Sequence, residues 1–153
     1  MFTNVLYVST SLHRLGHLSD LDILRTAEFR NPRFGLTGCL LRGSDWFAQS
    51  LEGYEPDVKR IFEGILRDTR HTVDTVWWSA DQEERMFPAW SMALAHVRGD
   101  ERWLHGILMD DLVPISEKNR RMKDAINRFG KTTDQLPDPE IVRPAPSMRQ
   151  SRI

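Results

Sequence analysis

Trp46-Phe47-Ala48-Gln49-Ser50-Leu51-Glu52-Gly53 is the stretch on which the reading of this 153-residue chain turns. It alternates as a strand does, so Phe47, Gln49 and Leu51 share one face and Ala48, Ser50 and Glu52 the other. A carboxamide therefore sits on an apolar face. Leaving one of its polar groups unmet costs about 1–3 kcal/mol, so Gln49 needs a polar partner inside the fold. Neighbouring backbone, a second buried side chain or a bound ligand with a heteroatom edge would each serve.

Upstream of this strand, Gly43-Ser44-Asp45 reads as a turn and Leu36 to Leu41 as its hairpin partner. Downstream, Val58, Ile61, Phe62, Ile65 and Leu66 follow helical spacing, which predicts a helix with one buried stripe over Glu55 to Asp68. Asn4 to Val8 is a short β-prone run, and His13, Arg14, Gly16 and His17 make a polar loop after it. Ser19-Asp20-Leu21-Asp22 has the form of a capping box, opening a helix with apolar Leu21, Ile23, Leu24 and Ala27. That helix is expected to end at Asn31-Pro32, because a proline pushes the residue before it out of the helical region. Thr72 to Trp78 and Ser91 to Val97 read as two more strands, with Met86-Phe87-Pro88 interrupting between them.

This order predicts an α+β sandwich, one mixed sheet with two helices on one face. The other face needs a cover, and the chain beyond Gly99 offers Asp100 to Met109 and Ser116 to Phe129. The second of these carries an apolar stripe of Met122, Ala125, Ile126 and Phe129, closed by Gly130. Past Thr133, four prolines (137, 139, 144 and 146) and few apolar residues predict a tail without regular structure.

Composition narrows the function. The net charge is −1 and Lys and Arg are scattered among Asp and Glu, so no basic stripe exists to neutralise phosphates and no nucleic-acid partner is expected. No apolar run is long enough to span a bilayer, and the first residues lack a charged segment followed by an apolar one. No membrane association and a cytoplasmic location are the expectation. Cys39, the one cysteine, reads as a small core residue. Gly-rich phosphate loops, a Gly-x-Ser-x-Gly elbow and a His-Glu-x-x-His helix are all missing. His13, His17, His71, His96 and His105 share no ligand spacing, so no metal is expected, and Asp110-Asp111 reads as a solvated loop. What remains is a set of polar groups at strand and helix ends: Tyr7, Asn31, Gln49 and Asp68-Thr69-Arg70-His71. Each has a local explanation, Tyr7 in the core, Asn31 as a helix cap and Arg70 at a helix C-terminus. Together they would line a groove between the two helices, wide enough for a flat heterocycle.

Leu6-Tyr7-Val8-Ser9, Asn31-Pro32-x-x-Gly35-Leu36-Thr37-Gly38, Phe47-x-Gln49-x-Leu51-Glu52-Gly53, Asp68-x-Arg70-His71 and Arg85-x-Phe87-x-x-Trp90-Ser91-Met92 resemble, in order and spacing, the blue-light-sensing flavin (BLUF) domains. The resemblance covers about Asn4 to Val97. It implies a ferredoxin-like sandwich, βαββαββ, with an oxidised flavin held noncovalently between the helices: FAD, with FMN and riboflavin as the alternatives. By the same resemblance Tyr7 is the photochemical electron and proton donor, Gln49 the amide bridging Tyr7 to the flavin, and Asn31 a clamp on a ring carbonyl. Ile23, Leu40 and Phe47 would be apolar contacts, and Arg30, Asp68, Arg70 and His71 would surround the pyrimidine rim or ribityl chain. Trp90 and Met92 match the pair associated with signal output. One position departs from the pattern: Gly64 stands where many relatives carry a basic residue near the flavin tail, with Lys59, Arg60 and Arg67 as substitutes.

The resemblance thus implies a non-enzymatic photoreceptor domain over 1–98, while the residues beyond it read as a helical cap over 99–130 and a disordered tail over 131–153. Output would pass to a separate signalling protein, with self-association into an oligomer. Two other classes fit the fold. An acylphosphatase-like hydrolase would use Arg70 and Asn31 on phosphate and water, but no tight anion-binding loop precedes the first helix. A flavin-free interaction module is the other.

Overall fold

The computed structural model describes residues 1–99 and 101–131, without the side chains of Ser19 and Lys131. Six strands, β1 (Phe2–Ser11), β2 (Thr37–Arg42), β3 (Trp46–Gly53), β4 (His71–Gln82), β5 (Ala93–His96) and β6 (Gly130–Lys131), form one sheet in the order β4-β1-β3-β2-β5-β6. The β1–β3, β1–β4, β2–β3 and β5–β6 pairs are antiparallel and β2–β5 is parallel. Helices α1 (Leu18–Arg33) and α2 (Glu55–Leu66) cover the front face; α3 (Glu101–Met109) and α4 (Ile115–Phe129) cover the back. This is the ferredoxin-like α+β sandwich, with β6 as an added edge ribbon.

The alternation of β1 and β3 sorts the core into two layers. Val5, Tyr7, Phe47, Leu51 and Leu40 meet Leu24, Ala27, Val58, Ile61, Phe62 and Ile65 in front. Leu6, Val8, Ala48, Cys39 and Leu41 meet Leu104, Leu108, Met122, Ala125 and Ile126 behind. Every residue of β3 is consequently buried. Cys39 is a core residue, its thiol driven well above the usual range by burial. Gly38 is required where β2 crosses β3, since a Cβ there would lie 2.0 Å from the Ser50 carbonyl oxygen.

Several boundaries differ from the sequence reading, each for a local reason. Helix α1 begins at Leu18, so Ser19 lies inside it and not at the cap. Its entry is held by Asp20, whose Oδ2 accepts the Gly16 amide at 3.1 Å. The helix also runs through Pro32 to Arg33 and closes on Gly35 at φ 61°. Leu36 N donates to the Asn31 carbonyl and Gly35 N to the Pro32 carbonyl, a Schellman close that tolerates proline in the last turn. Leu21 and Leu66, assigned to buried stripes, are half-exposed. Strand β5 starts only at Ala93, because the Ser91 carbonyl is taken by the Asn31 amide instead of a neighbouring strand. Asp100 and the segment 132–153 lie outside the described residues; Lys131, placed in the tail by the sequence reading, pairs with Leu94.

Candidate functional site

Between α1, α2 and the front of the sheet lies a narrow cleft. It is lined by Tyr7, Ile23, Thr26, Ala27, Arg30, Leu40, Phe47, Gln49, Ile65, Asp68, Arg70 and His71. Strands β1 and β3 bring Tyr7 and Gln49 opposite each other as a cross-strand pair. The Tyr7 hydroxyl donates to Gln49 Oε1 at 2.5 Å, which supplies the buried partner that Gln49 requires. Burial raises the Tyr7 pKa far above its ordinary 10.0, so the phenol keeps its proton. The other end of the carboxamide has a much weaker partner: Gln49 Nε2 lies 3.7 Å from the Met92 sulfur, a poor acceptor.

The rim is charged and ordered. Asp68 takes the Arg70 backbone N–H and three guanidinium bonds, 2.6 Å at the shortest, and this pairing pulls the Asp68 pKa below its ordinary 3.8. His71 places Nε2 3.1 Å from the Ile65 carbonyl, an acceptor that only a protonated ring nitrogen can meet, and Nδ1 2.8 Å from the Ser9 hydroxyl. Arg30 is different. Its Nε is buried with no hydrogen-bond partner, and desolvation lowers its pKa. An orphaned cationic donor on a cleft wall, beside an amide with spare hydrogen-bonding capacity, suits a planar ligand with acceptor atoms along one edge.

Of the residues singled out in the sequence, Tyr7, Ile23, Arg30, Leu40, Phe47, Gln49, Asp68, Arg70 and His71 all line this cleft. Asn31 does not. It is fully buried behind the cleft, its Nδ2 donating to the Ser91 carbonyl at 2.7 Å, which pins the segment leading to Met92. The other end of that segment is fixed by Glu52, whose carboxylate accepts the Met86 and Phe87 amides at 2.8 and 2.6 Å. Neither Trp90 nor Met92 belongs to β5. Met92 is buried in the front layer against Gln49, whereas Trp90 packs on the back layer and stacks on Phe87. Arg70 is paired with Asp68 through Nε and Nη2. Thr26, Ala27 and Ile65 are wall residues that the sequence reading passed over, although Ile23, Ala27 and Arg30 fall at i, i+4 and i+7. At Gly64 an added Cβ would meet nothing within 4 Å, and Lys59, Arg60 and Arg67 are not on the cleft wall; Lys59 pairs with Glu55 and Arg60 lies over Phe34. No helix of the described residues is long and apolar enough to cross a membrane.

Comparison with known proteins agrees with this geometry. The family model described as "Sensors of blue-light using FAD" (BLUF) matches residues 2–93. The photoactivated adenylate cyclase subunit beta of Euglena gracilis is 34% identical over 94 residues, 61% of this chain and 11% of the relative. The alpha subunit from the same organism is 33% identical over 129 residues, 79% of this chain and 12% of the relative. This chain therefore spans about a tenth of those relatives' length. Among solved structures, the dark state of the BLUF protein BlrB superposes with a TM-score of 0.62 at 26% identity, covering 83% of this chain and 96% of the other.

Proposed function

The chain belongs to the BLUF family of blue-light sensors, a photosensory and non-catalytic family, and from that membership we propose that it is a flavin-binding light switch whose moving part is the Gln49 amide. The observation that carries this is the asymmetric bonding of Gln49: a strong bond to Tyr7 at one end, a thioether at the other. FAD is the cofactor proposed. Arg30, with its unpartnered Nε, is the donor for a ring acceptor, Ile23, Leu40 and Phe47 are the apolar walls, and Asp68, Arg70 and His71 form the polar rim.

Bound flavin supplies blue-light absorption and a transient acceptor for an electron and a proton. The chain's part is to hold that proton and to change its hydrogen bonds. Burial keeps Tyr7 protonated, and the short bond directs that proton at Gln49 Oε1 on the cleft wall. Rotation or tautomerisation of the Gln49 amide then exchanges which end faces Tyr7, and little opposes it because the Met92 contact is weak. Two arrangements of one side chain make the bistable element that a sensor needs. Met92 and Trp90 lie on opposite layers of the segment pinned by Asn31 and Glu52, so they are placed to register that change. The output is proposed to reach a separate effector protein.

The test is the visible spectrum of the purified chain loaded with FAD. A flavin band that moves reversibly to the red in blue light, and stays fixed in Tyr7→Phe while flavin remains bound, is expected. A flavin-loaded parent whose band does not move contradicts the proposal.

A further inference from the structure

Directly behind the Tyr7–Gln49 pair, the same two strands hold a second polar group that the proposed light chemistry does not use. Asn4, Ser50 and Asn119 are all buried. Asn4 Nδ2 donates to Ser50 Oγ at 2.8 Å and to the Leu51 carbonyl at 3.0 Å. The Ser50 hydroxyl donates to Asn119 Oδ1 at 2.6 Å, and Asn119 Nδ2 donates to Asn4 Oδ1 at 2.7 Å, which closes a ring. Strand β1 supplies Asn4, β3 supplies Ser50 and α4 supplies Asn119.

We propose that this ring couples the Gln49 switch to helix α4, with Ser50 and Asn119 as positioning residues that set where α4 sits in the dark and lit states. The inference rests on the light-switch reading above. Ser50 follows Gln49 in β3, so a change in the pairing of Gln49 with Tyr7 acts on backbone that also carries Ser50, while Leu6↔Ser50 pairs beside Tyr7↔Gln49 in the same ladder. Beside this ring α4 packs on the sheet through the apolar Met122, Ala125 and Ile126, and packed apolar helix faces admit small slides. A closed set of buried hydrogen bonds does not. It holds discrete arrangements, because a half-made ring leaves polar groups unpaired in a low-dielectric core. The neighbouring Lys118 is held in the same way. It is also buried, its ammonium donating to the Leu108 carbonyl at 2.9 Å and lying 3.2 Å from the Trp77 ring centre, so α4 is fixed to both α3 and β4 at this point. Movement at Ser50 therefore has a rigid follower.

The experiment uses the flavin-loaded full chain and reads two signals, the red shift and the light-minus-dark amide hydrogen exchange of residues 115–129. The parent is expected to show both. Ser50→Ala should keep the red shift, while the light-minus-dark exchange difference of α4 falls about five-fold or more. Should Ser50→Ala fail to fold, the triple replacement Asn4→Leu, Ser50→Ala, Asn119→Leu removes all three polar side chains of the ring at once and is expected to give the same loss. A parent-sized difference in either variant overturns the relay, as does a parent that shifts its spectrum without any change across 115–129. A parent with no red shift overturns the light-switch reading itself, and the relay with it.

Discussion

The front and back of the β1–β3 ladder each bury a small polar cluster, and the two are built on opposite principles. In front, Tyr7 and Gln49 share one strong bond, the remaining amide nitrogen faces a sulfur atom, and Arg30 Nε has no partner. Behind, Asn4, Ser50 and Asn119 spend their hydrogen bonds on one another in a closed ring. A cluster with spare capacity accepts a ligand and changes its bonding at low cost. A saturated one transmits displacement and resists rearrangement. Two-residue periodicity lets one pair of strands carry both.

The contrast breaks most completely at its centre. Gln49→Leu fills the same space with apolar atoms, so the fold should persist while the red shift vanishes altogether. An ordinary photocycle in that variant would show that the front cluster does not switch through the amide. Arg30→Met keeps the aliphatic stem and deletes the orphaned donor; a charged hydrogen bond is worth roughly 1.5–3 kcal/mol, so FAD should bind about ten-fold to a hundred-fold more weakly in a titration. Unchanged affinity would mean that the orphan does not face the cofactor.

Asn31→Ala sharpens the line between cleft and support. The Ser91 carbonyl loses its donor, and denaturant midpoints should report a stability loss of about 1–3 kcal/mol with and without flavin alike. A loss confined to the flavin-loaded protein would instead place the amide on the cofactor. The smallest effect belongs to the rim. Arg70 holds the Asp68 pKa below 3.8, so this pair stabilises the fold above that pH and the contribution disappears as pH falls through the depressed value. Both side chains are partly exposed, which limits the gain to under about 1 kcal/mol. Asp68→Asn should therefore lower stability slightly at neutral pH and converge with the parent in acid; divergence in acid would contradict the assignment.

The front cluster was legible in the sequence and the back one was not, for physical reasons. Gln49 announces itself because alternation puts a carboxamide on an apolar face, and its partner is only one strand away. Asn119 gives no such signal. It sits in a helix whose stripe is defined by Met122, Ala125 and Ile126, and Asn119 and Lys118 look like solvated positions until Asn4, 115 residues earlier, is brought against them. The same limit explains the helix ends: Leu21 and Leu66 satisfy the spacing of a buried stripe, yet about half of each side chain stays exposed. The resemblance alone puts Asn31 on a ring carbonyl and the sequence by itself reads it as a helix cap; its bond to the Ser91 carbonyl depends on the path of the chain before β5, which no local pattern gives.

The central claim is that light changes the hydrogen bonding of one amide, and the light-minus-dark infrared spectrum of the flavin-loaded chain, with its glutamine side chains isotope-labelled, tests it most directly. The account predicts a shifted glutamine carbonyl band that is present in the parent and missing from Gln49→Leu. A parent that shifts its visible spectrum with no glutamine band in the difference spectrum would contradict it.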